Sequence, residues 1–217
     1  MLRRLILAAP PLALTLALAA CGPADKPKSA PAASPTPVLT ERQAADGGVD
    51  RFTPYLGGPL ALDEFSVGPV MAQAEFSLDA LKPRFPKADV KSAFLHQGEG
   101  EPTPIITVEQ GGGVIEIQGN PGTTKVGDIR ISGGTPKGPR GETLGLKWAD
   151  ADMDYPRCWM GKDRDVHAVI CTQPGEPALR YVFGVLGWTQ DTMPSEVVLR
   201  EKAVLREFLW RGGAPSQ

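Results

Sequence analysis

Three groups of residues in this sequence carry reactive chemistry: the thiols, a loop of histidine and glutamates, and a run of alternating aspartates. Cys21 closes Leu18-Ala19-Ala20-Cys21, behind Arg3-Arg4 and an apolar run from Leu5 to about Leu18. A basic start, an apolar segment and small residues before a cysteine are what export and thiol lipidation require. The run of about 14 residues holds Pro10 and Pro11 and is shorter than the roughly 20 residues a membrane span needs. In this reading a diacylglyceryl group alkylates the Cys21 thiol, the chain is cut before it, and the new amino group is acylated. Several acyl chains on one residue exceed the two signals that stable anchoring takes. An ordinary secretory signal is the alternative. Arg3-Arg4 touches on the twin-arginine route, without its polar surroundings. Gly22 in place of Asp favours sorting to the outer membrane.

The other cysteines, Cys158 and Cys171, form an even pair in an oxidising compartment, which predicts a disulfide. Only His167 lies between them, whereas a metal site would need more ligands. His96, Glu99 and Glu101 share the polar loop His96-Gln97-Gly98-Glu99-Gly100-Glu101, a candidate acid–base set for an envelope hydrolase. Residues 99 and 101 are too close in sequence to predict the opposed placement that glycoside hydrolysis requires. Asp150, Asp152 and Asp154 begin like a calcium loop, but Tyr155 stands where such a loop needs glycine and Gly161 where it needs a bidentate glutamate. Zinc-protease, nucleophile-elbow and phosphate-loop motifs are absent. Gly111-Gly112-Gly113 reads as a hairpin tip rather than a dinucleotide fingerprint. Of the four tryptophans, Trp159 and Trp188 lie in polar or glycine-rich stretches and are the candidates for a ligand surface.

Bulk properties narrow the class. The formal charge of -2 becomes -4 once Arg3 and Arg4 leave with the signal, because the first twenty residues hold no acid. No basic patch points to nucleic acid, and no residue pattern points to a cofactor. The expected organisation is a signal over 1–20, a lipid-anchored Pro/Ala-rich disordered tether over 21–50, a folded domain over 51–211 and a disordered tail over 212–217. The tether would span roughly 30 Å as a coil and about 90 Å if held extended by its prolines.

The folded part must position these groups on short strands. Ile105–Val108 and Val114–Ile117 flank a glycine-rich turn over 109–113, Lys125–Ser132 alternates as a third strand, and Val166–Thr172 and Leu179–Val185 flank Pro174-Gly175. Leu205–Trp210 adds a closing strand. Ser77 caps a helix running through Phe85, with Asp79 in its first turn and Pro86 as its stop. Leu144 and Trp148 stand at helical spacing within Thr143–Asp152, and Ser195-Glu196 opens a helix toward Lys202. The fold class is therefore α+β, mostly antiparallel sheet with two or three short helices. A shift of 70 residues lays Gly68-Pro69 on Gly138-Pro139, Phe76 on Leu146, Leu78 on Trp148, Phe85 on Tyr155 and Pro86 on Pro156, which suggests two helix-plus-sheet repeats sharing one core.

The C-terminal landmarks carry a resemblance. Cys158 and Cys171, the strand at Tyr181-Val182-Phe183, Gly187-Trp188, Met193-Pro194-Ser195 and Leu209-Trp210-Arg211 resemble the sigma-E-regulated (RpoE-regulated) lipoproteins, a domain of unknown function. The resemblance covers roughly Val67 to Arg211 and is best from Gly187 onward. It implies an outer-membrane, periplasm-facing lipoprotein under envelope-stress control, with no catalytic residues to carry over. The long Pro/Ala tether and the Pro-rich stretch near Pro136–Pro139 depart from it. The reading is thus a non-enzymatic module, held to the membrane by lipid, that binds an envelope protein or the cell wall.

Overall fold

The computed structural model describes residues 52–96 and 100–212. Cys21, the signal, the tether, Glu99 and residues 213–217 lie outside the described residues.

The chain folds around an eight-stranded antiparallel sheet. Its strands are β4 (Asp89–Leu95), β5 (Thr103–Gln110), β6 (Gly113–Gly119), β7 (Val126–Gly133), β9 (Cys158–Met160), β10 (Ala168–Gln173), β11 (Glu176–Val185) and β12 (Ala203–Arg211). Three short pieces, β1 (Leu60–Ala61), β2 (Ser66–Val67) and β3 (Val70–Met71), precede it, and β8 (Pro136–Lys137) pairs in parallel with β1. The local turn chemistry sets the hairpins. Gly111 and Gly112 both take positive φ (59° and 76°) in the two-residue turn closed by Gln110 and Gly113, which matches the twist of the flanking strands. The strands therefore run closer to the turn than the five-residue connection expected. Pro174-Gly175 makes the second tight turn, with Gly175 at φ 78° between the paired Gln173 and Glu176.

The strand order is β4-β5-β6-β7-β12-β11-β10-β9. Each half is a four-stranded meander, and the halves meet where β12 pairs with β7, Phe208 opposite Ile131. The strand expected to close the sheet thus lies inside it. Carried along the chain, the 70-residue shift lays β7 on residues 196–203, which form the helix α2 (Glu196–Lys202) and its C-cap. Strand and helix therefore occupy equivalent positions at that shift.

Two helices pack against one face of the sheet. Ser77 caps α1 (Leu78–Leu81), its Oγ accepting from the Ala80 N–H at 3.2 Å. This helix ends sooner than expected: Pro83 has no N–H to continue the ladder, and Lys82–Arg84 tightens into a 3-10 turn. Ser195 caps α2, and Arg200 pairs with Glu196 one turn earlier at 2.7 Å. The expected helix over Thr143–Asp152 is reduced to a single 3-10 turn, Trp148–Asp150. Gly145 sits at φ 89°, its N–H donates to the Leu205 carbonyl, and the Leu205 N–H donates to Leu146, so the start of β12 draws this segment into extended pairing. Trp148 is buried nonetheless.

One row across the sheet builds the core: Cys171, Tyr181, Phe208, Ile131, Ile115, Val108 and Val90 stand opposite one another on six successive strand pairs. An irregularity in the pairing where Arg206 is passed over lets Ala203 and Leu205 share the buried face with Phe208 and Trp210, which a strict alternation would forbid. Trp210 is 1% exposed and its indole N–H donates to the Glu64 carbonyl at 3.2 Å, fastening the N-terminal segment to the sheet. Gly212 still donates to the Gly127 carbonyl, so ordered pairing runs one residue past Arg211.

Candidate functional site

The neighbouring row points to the opposite face, and its chemistry is different. Thr172, Arg180, Leu209, Arg130, Glu116, Thr107 and Lys91 stand opposite one another from β10 to β4. On this face the only buried apolar cluster among the described residues is small: Ala168, Ile170 and Val182, with Leu209 packed against it. The connection between β9 and β10 folds across the face as a strap. Its tip, Asp163–Asp165, is a 3-10 turn with Asp163 at φ 52°.

Two ion pairs pin the strap. Arg130, 8% exposed, donates in parallel to both carboxylate oxygens of Asp165 at 2.9 and 2.7 Å, and also to Glu207. Burial pulls the Arg130 pKa down, but hydrogen bonding and charge from Asp165 and Glu207 outweigh it and the net shift is upward. Arg164 donates to Glu116 at 2.6 and 3.2 Å. The bidentate geometry is what the guanidinium fork provides and a lysine does not.

Beside the strap a cavity of about 250 Å³ opens on Arg180, Arg211 and Lys162, with Ile170 and Leu209 beneath. Arg211 pairs with Asp128 at 3.6 Å, both half exposed. The Arg180 side chain has no hydrogen bond or ion pair among the described residues, and its Nε–H is buried without an acceptor. Its guanidinium lies 5.5 Å from the centre of the Trp159 ring. Burial, and then the charge of Arg211, push its pKa down, with Asp128 opposing. Among the described residues this groups a half-buried cation with an apolar floor, and an aromatic ring stands beside the cation, which are features of a ligand site.

The residues singled out in the sequence fall in different places. Trp159, on the edge strand β9 and 39% exposed, stands opposite Ile170 and joins the charged face. Trp188 packs against the main core and its indole N–H donates to the Thr192 carbonyl at 3.0 Å, so the two tryptophans do not share a surface. Cys158 and Cys171 are opposite each other on β9 and β10 and form a disulfide, which uses both thiols. His167, at φ 66°, sits 3.7 Å from the Asp191 carboxylate. His96 and Glu101 are exposed. Asp152 is 97% exposed and Asp154 lies 3.6 Å from Arg157; among the described residues no three His, Cys, Asp or Glu side chains converge in a group that could hold a metal.

Arg130 and Arg180 escaped the sequence reading, and Arg211 entered it only as a landmark of the resemblance. Their signal is a lone arginine between apolar residues on a strand, as in Ile129-Arg130-Ile131 and Leu179-Arg180-Tyr181. Such a residue marks the face opposite the core, where a cation at mid-sheet needs a reason.

A second polar cluster sits at the end of β11. Glu142, 5% exposed, accepts from Gln173 Nε2 at 3.2 Å and from the Arg140 backbone N–H at 3.0 Å. The Tyr181 hydroxyl donates to Glu176 at 2.8 Å and lies 3.4 Å from Glu142. Burial, then the bond to Glu176, holds the Tyr181 phenol well above its usual range. Glu142 and Tyr181 are closed to solvent, so this cluster organises the core. It also sets an alkaline limit. The unfolded chain releases the phenol proton near pH 10 and the folded chain does not, so stability falls as pH rises above about 10. Denaturant titrations at pH 9 and pH 11 are expected to show this loss, and Tyr181→Phe to reduce it; an equal loss in both proteins contradicts the assignment.

No protein-family model and no curated protein matches the chain. Its fold is similar to that of a solved structure, the uncharacterized protein yfeY from Escherichia coli, with a TM-score of 0.56 and 18% identity over 71% of this chain and 99% of that one. At that identity the likeness is one of fold.

Proposed function

We propose that this protein is a lipid-anchored lipoprotein of the cell envelope, on the outer membrane and facing the periplasm, whose domain is a non-catalytic binding module in envelope maintenance or stress response. The charged face of the sheet is its binding surface. The observation that carries this reading is Arg180, whose side chain has no ion-pair partner among the described residues and stands beside the exposed Trp159 on a face crossed by the strap and a small apolar cluster. The partner is an envelope protein or the cell wall.

Three further observations support the envelope assignment. Leu18-Ala19-Ala20-Cys21 is the pattern that lipidation reads. A Cys158–Cys171 disulfide suits an oxidising compartment. The C-terminal landmarks that resemble the sigma-E-regulated lipoproteins lie on the sheet: Tyr181-Val182-Phe183 in β11 and Leu209-Trp210-Arg211 in β12. The two four-stranded meanders are, in the same reading, related units that share one core.

Cys21→Ser tests the anchor. After fractionation of cells the variant is expected in the soluble periplasm, with the parent chain in the membrane pellet. A variant that stays in the pellet contradicts lipid anchoring.

A further inference from the structure

The geometry points to the groove beside Arg180 as a site for a compact organic monocarboxylate, taken either as a free small acid or as the carboxylate that ends a peptide chain. This inference rests on the binding-face reading and names what that face holds.

The cations of the groove are not equivalent. Arg130 is committed to Asp165 of the strap and to Glu207 of β12, and Arg164 of the strap is committed to Glu116. Lys162 and Arg180 have no ion-pair partner among the described residues, and Arg211 holds Asp128 loosely at 3.6 Å. Arg180 stands opposite Leu209 in the β11–β12 register, so Arg211 is its diagonal neighbour on the same face. Diagonal positions of an antiparallel pair lie roughly 7–8 Å apart, within reach for two long side chains that share one anion. A buried donor without an acceptor is costly, and an anion brought to this guanidinium supplies charge-assisted hydrogen bonds, including one to the buried Nε–H.

Charge and shape select the class. Asp128, Asp163 and Asp165 line the same cavity, and Glu207 and Glu116 pair with its Arg130 and Arg164, so these acids offset the cations Arg130, Lys162, Arg164, Arg180 and Arg211. These acids oppose the one negative charge of a carboxylate less than the two of a phosphate dianion. Ile170 and Leu209 form the floor, and the Trp159 ring, 5.5 Å from the Arg180 guanidinium, stands next to the groove, so apolar surface lies beside the charged group. A volume of about 250 Å³ admits a small molecule or a chain end.

The test uses the purified full chain and the indole N–H resonance of Trp159, assigned with Trp159→Phe. The probes, at matched ionic strength, are N-acetylalanine, its uncharged methylamide, the tripeptide acetyl-Ala-Ala-Ala with a free C-terminus, and inorganic phosphate. Saturable shifts are expected with the two carboxylates and not with the methylamide. Tighter binding of the tripeptide assigns a chain end, and equal binding a free acid. Arg180→Gln is expected to weaken binding by roughly tenfold or more, the scale of a lost charged hydrogen bond. Arg211→Gln, at a half-exposed position, gives the same direction without disturbing the core. Binding of phosphate as tight as of N-acetylalanine, no saturable response to either carboxylate, or unchanged affinity in Arg211→Gln each overturns the assignment. Photo-crosslinking from this face in cells does not depend on these probes: adducts there with a negative titration leave the binding face standing and remove the carboxylate.

Discussion

Arg130→Ala is expected to lower the stability of the domain by about 3–5 kcal/mol, the range for breaking a buried charge pair from one side. The loss comes from what remains: Asp165 and Glu207 keep their charges beside a face that no longer holds the cation they share. The strap then loses its anchor on β7, and amide exchange over residues 161–167 should quicken beyond the global change. Arg164→Ala is the internal comparison. Its pair with Glu116 is nearer solvent, the arginine side chain being 31% exposed, and is expected to contribute no more than about 1 kcal/mol. Urea titrations of the three proteins measure both values. Equal small losses at the two positions contradict the view that Arg130 is the pivot of the charged face.

The double variant Cys158→Ala/Cys171→Ala is expected to lose about 3 kcal/mol, from the closure of a loop of about 14 residues in the unfolded chain. The effect is also local. The bond ties the three-residue edge strand β9 to β10, and β9 carries Trp159. Once β9 frays, Trp159 leaves Arg180, so the cation loses its aromatic neighbour while the ion pairs of the strap persist. The Trp159 resonance should therefore broaden in the variant before global unfolding. Intact-mass measurement of the parent chain should show the loss of two protons. Two thiols that alkylate under native, non-reducing conditions contradict the bond.

The parts legible in the sequence are those that local chemistry decides. Gly111-Gly112 and Pro174-Gly175 specify tight turns, Ser77 and Ser195 specify helix starts, and the cysteine count specifies the disulfide. What long-range pairing decides was not legible. Leu144 and Trp148 keep helical spacing, yet Gly145 and the edge of β12 draw that segment into extended structure. The strand β4 has no clean alternation, since its single buried residue is Val90, and it escaped notice. That β12 lies inside the sheet, where the two meanders meet, follows from its pairing with β7, almost eighty residues away, which no local pattern encodes.

The site shows the same division. The exposure of Trp159 was legible because it stands in a polar stretch next to a cysteine that fixes its strand. Trp188 has similar neighbours in sequence, but it packs against the main core. Arg180, Leu209 and Arg130 are adjacent on the sheet while spread over three strands, and only the register brings them into one row. A lone charge within an apolar strand was the available signal.

The binding face is tested most directly by photo-crosslinking in intact cells, with a photoreactive residue placed at Trp159 in one strain and at Val197 in another. Val197 is 64% exposed on α2, which packs on the other side of the sheet, so both probes reach solvent and differ in the face they sample. The account predicts a discrete adduct from position 159 that weakens with Arg180→Gln, and none from position 197. Adducts from position 197 alone, or adducts from 159 that ignore Arg180→Gln, would contradict it.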